Sequence, residues 1–467
     1  MFVITKTLTI LLFPFIVLSQ VNYPKQFDDY MQAQVRVNQF NGNVLVAKSG
    51  HVLYQKAFGY RNYTTGELLD NNSVFELASV SKQFTAMGIL LLVEKGKLSF
   101  SDTLRKFFPE LPYYNITIHN LLTHTSGLPN YMGLMFKKWD HKKIAFNSNM
   151  IEILAKEKVP ADFEPGTKWE YSNTGYAILA SIIERVSGLS FREYMYQNIF
   201  NPLGMSRSRV YNTRRSEKDS IPDYAFGYVY SDSLKRYIIP DSLPDYDVVI
   251  FLDGIQGDGT INSTTSDLLK WDRALKNHLL LSEATQNKMF FPQSLMDTAA
   301  NMSYGYGVMI GKGQFGNYIY HNGGWPGYWT SITRYLSDDV TIIALSNNES
   351  NASGVSKALA AILKNQKVIF PYLHKEISVD TSWLRHFVGH YIGDNTNLYI
   401  TQKDGKLYRT LKGGGDVELK PESKSKIFYT DGSDRQFEFD TNEYGNVTRA
   451  WLIENGFKKE INKVTNR

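Results

Sequence analysis

Hydrophobic residues change their spacing along the chain, and these changes predict where helices and strands lie. Residues 27–40 have the period of an amphipathic helix, and residues 44–47 and 52–54 are apolar segments on either side of a polar turn. The block 86–93 is apolar nearly all round, which is typical of a helix buried in the centre of a domain. These patterns predict an amino-terminal helix, an antiparallel hairpin and then a buried helix.

The middle of the chain continues this mixture of helix and strand. Residues 177–186 predict a second buried helix. Three strand-like segments and a closing helix follow, at residues 318–320, 328–335, 340–346 and 355–364. A hairpin, a helical middle, further strands and a final helix imply an antiparallel sheet flanked by helices. The predicted fold class is therefore α+β.

The helical and strand periods fade after the closing helix, and short strand-like segments then resume. Residues 398–400 and 406–408 surround Asp404-Gly405, which is a hairpin signal. Several short strands separated by turns are typical of a small antiparallel unit. We therefore predict a linker over residues 367–379 and a small antiparallel β-barrel or sheet over residues 380–467.

The amino-terminal residues predict a secretion signal. Lys6 precedes an apolar run that begins at Leu8 and ends in Val17-Leu18-Ser19, a small-residue cleavage pattern, so residues 1–19 are expected to be a signal peptide. The run is shorter than the ~20 residues that a membrane-spanning helix needs, and no membrane segment is expected after its removal. The first mature domain is then expected to cover residues 20–366, in a bacterial periplasmic or secreted protein.

Composition narrows the chemistry. The chain has no cysteine among its 467 residues, which excludes disulfides, thiolate metal sites and a cysteine nucleophile. Its net charge of +5 is spread along the chain, so nucleic-acid binding is not expected. His386 and His390 have i, i+4 spacing but lack the Glu of a His-Glu-x-x-His zinc site. No metal or other cofactor is expected.

Ser79 and Lys82 are the first candidates for catalysis. Residues three apart on a helix lie on one face, so Lys82 could take the proton of Ser79 at the start of the buried helix. Backbone N–H groups and the positive end of the helix dipole would there face a developing anion. A second Ser-x-x-Lys, from Ser423 to Lys426, has no apolar helix behind it, and we interpret it as a solvated turn.

Two further motifs lie later in the chain, namely Tyr-x-Asn at Tyr171 and Asn173 and His-x-Gly at His321 and Gly323. In this order and spacing, the three motifs resemble the signature of the penicillin-recognising serine hydrolases. That superfamily includes class C β-lactamases, serine D-Ala-D-Ala carboxypeptidases, esterases and D-aminopeptidases. The resemblance covers roughly residues 25–365 and extends to the stretches around the motifs, at residues 121–128, 164–167 and 201–205.

The resemblance implies a site between the sheet and the helical part, and a lipocalin-like module at the carboxyl end. It also implies that Ser79 is the nucleophile of an acyl-enzyme and that Asn173 orients Lys82 and the substrate amide. Either Lys82 or Tyr171 is then the base. A phenol near an ammonium has its ionised form favoured, which suits Tyr171 to pass a proton to the leaving group.

His321 occupies the position where many members of the superfamily carry Lys. Either side chain can hold a substrate carboxylate, but His does so only weakly once neutral, which argues against efficient β-lactamase activity. Gly323 and Gly324 leave a strand edge that a substrate can approach, and the Gly324 N–H is expected to pair with that of Ser79 as an oxyanion hole. His119 and His124 are expected to be structural.

The sequence thus predicts a secreted serine hydrolase that acts through an acyl-enzyme on a peptide, amide or ester. A D-Ala-D-Ala carboxypeptidase or D-aminopeptidase-like activity leads, with cell-wall peptide among the candidate substrates. An esterase and a class C-like β-lactamase stay open as alternatives. A non-catalytic penicillin-binding sensor is the alternative from another class, but a protein that only binds has no need of the full set of motif residues.

Overall fold

An eight-stranded antiparallel sheet lies at the centre of the amino-terminal part of the computed structural model, which describes residues 22–211, 220–298, 300–394, 396–411 and 415–464. Its strands in chain order are β1 Gly42–Lys48, β2 His51–Phe58, β3 Ser294–Asp297, β4 Met302–Tyr304, β5 Met309–Gly313, β6 Gly316–Trp325, β7 Tyr328–Tyr335 and β8 Val340–Ser346. In space they run β3-β4-β5-β6-β7-β8-β1-β2, so the amino-terminal hairpin joins the last strand. The predicted hairpin and the three later strands are confirmed.

Eight helices of eight or more residues surround this sheet in the described residues. They are α1 Tyr23–Arg36, α2 Lys82–Glu94, α3 Tyr131–Lys138, α4 Asn147–Glu157, α5 Asn173–Ser187, α6 Thr265–Lys276, α7 Glu283–Phe290 and α8 Ala352–Leu363. The helix predicted at residues 177–186 is longer than expected, because Ser172 caps its first turn and Gly188 ends it with a left-handed backbone.

Shorter segments complete the helical part and its loops. The short helices are Leu104–Phe107, Ile118–Leu122, Phe191–Met195 and Val248–Phe251, and the single turns include Ala78–Ser81, Tyr196–Phe200, Pro240–Ser242 and Pro244–Tyr246. The short strands are Tyr60–Asn62, Glu67–Leu68, Phe75–Glu76, Arg209–Val210, Val229–Ser231, Arg236–Ile238 and Ile261–Ser263.

The two faces of the sheet pack against different cores. In β1, Leu45 and Ala47 belong to the large core that α2 and α5 share, whereas Val44 and Val46 belong to a second core against α1 and α8. Successive side chains of a strand point to opposite faces, so a continuous apolar run is what a strand covered on both sides requires. Burying each such Val or Leu side chain contributes about 1.5–3 kcal/mol relative to leaving it exposed.

A closed eight-stranded antiparallel barrel follows, as the predicted barrel or sheet required. Its strands are β9 Gly389–Gly393, β10 Thr396–Lys403, β11 Lys406–Thr410, β12 Val417–Ser423, β13 Lys426–Tyr429, β14 Gln436–Thr441, β15 Val447–Glu454 and β16 Phe457–Val464. Pairing of β16 with β9 closes it. Two short turns of helix, Thr381–Leu384 and Arg385–Phe387, precede the barrel, and Phe387, Tyr391, Phe437 and Phe439 fill its interior.

The segment predicted as a linker, residues 367–379, contains no helix or strand. It contacts the barrel, since the Ile369 N–H donates to the Gly456 carbonyl over 2.9 Å. Asn351, which caps α8, donates to the Asn455 side chain over 2.6 Å. No helix among the described residues has the length and apolar character to cross a membrane. The predicted signal peptide lies outside the described residues.

Candidate active site

Ser79 lies in a single 3₁₀ turn, Ala78–Ser81, immediately before α2, and not in the first α-helical turn as predicted. The conformation of the two residues before Ser79 explains this turn. Leu77 is fixed on both sides, because its N–H donates to the Ile261 carbonyl and its carbonyl accepts from the Thr330 hydroxyl. Ala78 then takes a left-handed conformation with φ of 48°, which is uncommon for a residue with a side chain. The turn holds Ser79 half-buried at the edge of the sheet.

Lys82 is fully buried and donates three hydrogen bonds. Its Nζ lies 3.2 Å from Ser79 Oγ, 2.8 Å from Asn173 Oδ1 and 2.8 Å from the Asp258 carbonyl oxygen. An ammonium has three protons, so these acceptors satisfy it completely and offset the cost of burying the group. Three of the predicted residues therefore meet at one nitrogen atom.

Asp258 is a member of this cluster that the sequence did not identify as a site residue. Its carbonyl accepts from Lys82, and its buried carboxylate accepts from the Tyr131 hydroxyl over 2.9 Å. Burial raises the pKa of the Asp258 carboxyl, and the Lys82 charge opposes that rise. The preceding carbonyl, at Gly257, accepts from Thr85 on α2, so this loop is tied to the helix that carries Lys82.

Tyr171 presents the face of its ring to Lys82. Lys82 Nζ lies 4.9 Å from the ring centroid, which is a cation–π contact. The ring also packs 4.4 Å from that of His124. Tyr171 precedes Ser172, the cap of α5, and Asn173 is the first residue of that helix. A single turn at the start of α5 thus delivers both Tyr171 and Asn173 to Lys82.

The sequence left open whether a charged His321 holds a substrate carboxylate, and the hydrogen bonds of the ring bear on that question. The ring is fully buried, its Nδ1 lies 2.7 Å from the Asn322 carbonyl oxygen and its Nε2 lies 3.1 Å from the Tyr304 hydroxyl. A carbonyl only accepts, so Nδ1 carries the proton and Nε2 accepts from Tyr304. Burial first, and the Lys82 charge second, lower the pKa of His321 to about 3. The imidazole is neutral at physiological pH and cannot supply a positive charge to a substrate carboxylate.

Gly323 and Gly324 lie in the part of β6 that is not paired with β5. The β5–β6 pairing ends at Met309 and Tyr320, and the edge of β6 beyond this point faces the Ser79 turn. A Cβ at Gly323 would lie 2.2 Å from the Leu77 oxygen, so only glycine allows this approach. A Cβ at Gly324 would meet no described atom within 4 Å. The pairing of the Gly324 and Ser79 N–H groups stays a prediction.

The two histidines considered for zinc lie in the barrel region, away from this cluster. His390 Nε2 contacts Asn397 Oδ1 over 2.8 Å, and the His386 ring packs against Trp383. Within the part of the chain that the structure describes, no group of three or more His, Asp or Glu side chains is arranged to hold a metal ion.

Comparison with known families agrees with this architecture. The family described as Beta-lactamase matches residues 27–366. The chain belongs to the β-lactamase family. This is a hydrolase family, and the resemblance inferred from the three motifs is confirmed at the level of the family and the fold.

Similar proteins extend the comparison. Penicillin-binding protein 4* of Bacillus subtilis (strain 168) is 42% identical over 399 residues, which cover 84% of this chain and 88% of that protein. The teichoic acid D-alanine hydrolase of Staphylococcus aureus (strain MRSA252) is 26% identical over 76% of this chain and 81% of that protein. The octameric penicillin-binding protein homologue from Pyrococcus abyssi has a TM-score of 0.67 at 24% identity, covering 94% of this chain and 99% of that one. This last likeness of fold includes the carboxy-terminal barrel, which matches the lipocalin-like module.

Proposed function

We propose that the protein is a secreted serine hydrolase that cleaves an amide or ester of D-alanine, or of a related D-amino acid, through an acyl-enzyme on Ser79. The contact of Lys82 Nζ with Ser79 Oγ at 3.2 Å carries this proposal. A candidate base must be within hydrogen-bond reach of the proton that it removes, and Lys82 meets that condition. A protein that only binds its ligand would have no use for the pair.

The reaction begins when Ser79 Oγ attacks the carbonyl carbon of the donor and loses its proton. The proposed acceptor of that proton is deprotonated Lys82, whose Nζ lies 3.2 Å from Ser79 Oγ. Tyr171 is the candidate for passing a proton to the departing alcohol or amine, and it then recovers a proton from Lys82. The N–H groups of Ser79 and Gly324 stabilise the oxyanion of the tetrahedral intermediate. Water then attacks the acyl-enzyme, releases the D-amino acid and regenerates the Ser79 hydroxyl.

His321 stands at the position where related enzymes carry a cationic Lys, and its ring is neutral. A donor carboxylate therefore meets no positive charge at this position, which supports the D-aminopeptidase and esterase branch over the carboxypeptidase branch. The similarity to the teichoic acid D-alanine hydrolase of Staphylococcus aureus agrees with that choice. The exposed Asp162 and Glu170 line a cavity of about 90 Å³ beside Tyr171 and Asn173, and Glu170 also pairs with Lys168. A donor amino group that reached this cavity would meet these two carboxylates.

The experiment is a substrate panel read by turnover and by intact mass. A D-alanyl ester, D-alaninamide, their N-acetylated counterparts, a peptide ending in D-Ala-D-Ala and a penicillin are offered to the full chain. We expect the highest kcat/KM for the donors with a free amino group. A higher kcat/KM for the D-Ala-D-Ala peptide would favour the carboxypeptidase reading. Binding of the panel with neither turnover nor a mass adduct would favour the sensor.

A further inference from the structure

His124 holds the backbone on both sides of Tyr171. Its carbonyl accepts from the Glu170 N–H over 2.9 Å, and its Nδ1 accepts from the Ser172 N–H over 3.0 Å. Its ring lies against the Tyr171 ring, with centroids 4.4 Å apart and planes inclined by 36°. His124 thus bonds the residue before Tyr171 and the residue after it, and packs against the Tyr171 ring.

His124 is itself fixed. It is fully buried, and its backbone is left-handed with φ of 59°, a conformation that His, Asn and Asp tolerate better than most residues. Its ring is enclosed by those of Tyr171, Tyr176 and Tyr304, with centroids 4.4, 5.1 and 4.4 Å away. A side chain with so little freedom can transmit its own position to the residue that it contacts.

The hydrogen bond also defines the protonation of His124. A nitrogen that accepts from an N–H carries no proton, so Nδ1 is bare and the ring is the neutral Nε2–H tautomer. The groups that face it are Lys82, His321 and the three tyrosines. Burial first, and the Lys82 charge second, lower the pKa of His124 well below its usual value.

We propose that His124 is a positioning residue that sets the place of the Tyr171 phenol relative to Lys82 and the leaving group. The inference rests on the proposed function, in which Tyr171 passes the proton. His124 touches no reacting atom and moves no proton. Its effect comes from orientation, and a displacement of about 1 Å in a catalytic group can lower a rate about 100-fold.

Two substitutions separate the parts of this role. His124→Phe keeps an aromatic ring against Tyr171 but removes the acceptor of the Ser172 N–H. His124→Asn keeps a short acceptor and the tolerance for a left-handed backbone but removes the ring. We expect His124→Phe to lower kcat about 10- to 100-fold with KM changed less than about threefold, and His124→Asn to lower kcat less. His119→Asn is the matched control, since His119 is half-buried and bonds the Tyr306 hydroxyl over 2.9 Å. It should leave kcat unchanged.

A double-mutant cycle with Tyr171→Phe decides between positioning and general loss of stability. If His124 acts through Tyr171, its substitution should have little further effect on kcat in the Tyr171→Phe background. Equal effects in both backgrounds would overturn the inference, as would an unchanged kcat in folded His124→Phe and His124→Asn. Full activity of Tyr171→Phe alone would instead refute the proposed role of Tyr171. If His124→Phe does not fold, the cycle is measured with His124→Asn, and the same outcomes apply.

Discussion

The chain contains Ser-x-x-Lys twice, and the two copies differ in local structure, burial and hydrogen bonding. At Ser79 the motif forms a 3₁₀ turn leading into a buried helix, and Lys82 Nζ lies 3.2 Å from the serine oxygen. At Ser423 the motif spans a turn between two barrel strands, where Ser423 and Lys426 are paired across the ladder. There the serine oxygen accepts from the Ser425 N–H over 3.1 Å, a local turn contact.

The difference shows that a buried lysine in this motif needs a hydrogen-bond acceptor for each of its protons. Lys82 is buried only because Asn173 and the Asp258 carbonyl, far away in sequence, accept its other two protons. Lys426 is partly solvated at its strand end and needs no such set. The proposed reactivity of Ser79 would therefore depend on the whole cluster and not on the four-residue motif alone.

The largest expected difference concerns the serines. Ser79→Ala should abolish covalent labelling by a fluorophosphonate, because the nucleophile is removed. Ser423→Ala should leave labelling at the wild-type level. Intact mass spectrometry of both variants after identical exposure measures this. Persistent labelling of Ser79→Ala would refute the assignment of the nucleophile.

The lysines should differ by a smaller factor. Lys82→Met should slow acylation about 10²- to 10⁴-fold, the usual contribution of a positioned general base, while Lys426→Met should change it less than about twofold. Pre-steady-state release of the leaving group from an ester donor gives the rate. A Lys82→Met enzyme that acylates at the wild-type rate would assign the base to another group, with Tyr171 the first candidate.

The smallest expected effect is on how the free energy of unfolding depends on pH. The comparison is between the buried His321 of the site and His390 of the barrel. Folded His321 has a pKa near 3, whereas the unfolded chain binds that proton near pH 6.5. The stability that neutral His321 contributes is therefore complete above pH 6.5 and is lost as pH falls towards 3, by up to about 1.4 kcal/mol per pH unit.

His321→Asn removes this titration, so its free energy of unfolding should depend less on pH between 6.5 and 5 than that of the wild type. His390→Asn, at a ring that contacts Asn397 in the barrel, is the control substitution. Denaturant unfolding at several pH values measures both variants. Parallel curves for wild type and His321→Asn would mean that folding does not lower the pKa of His321.

The sequence predicted most of the fold because apolar spacing records burial directly. The strands near residues 318–346 and the hairpin at Asp404-Gly405 are examples. It could not predict the 3₁₀ turn at Ser79, since that turn depends on Ala78 taking a left-handed conformation imposed by Ile261 and Thr330. The same limit applies to the site.

The order of the motifs predicted that one site contains Ser79, Lys82, Tyr171, Asn173, His321 and the two glycines. The fold brings these residues together in space. The sequence did not predict the hydrogen bond from Lys82 to Asp258, because the acceptor is a backbone carbonyl, which every residue has. The sequence did not predict that the His321 ring is neutral. Burial and the Tyr304 hydrogen bond determine its charge, and a His-x-Gly motif shows neither of them. His124 was recognised only as framework, since its two contacts beside Tyr171 exist only after folding.

The hydrogen bond from Thr330 to the Leu77 carbonyl joins residues 253 positions apart. A ribosome adding about 5–20 residues per second needs roughly 10–50 s to make that interval. Throughout this time the serine is already synthesised, but the strand that holds its turn does not yet exist. Contacts of such long range form late and slowly. A chain interrupted before β7 therefore carries the motif without the strand that fixes its turn, and the proposed activity would require nearly all of the family domain to be made and folded.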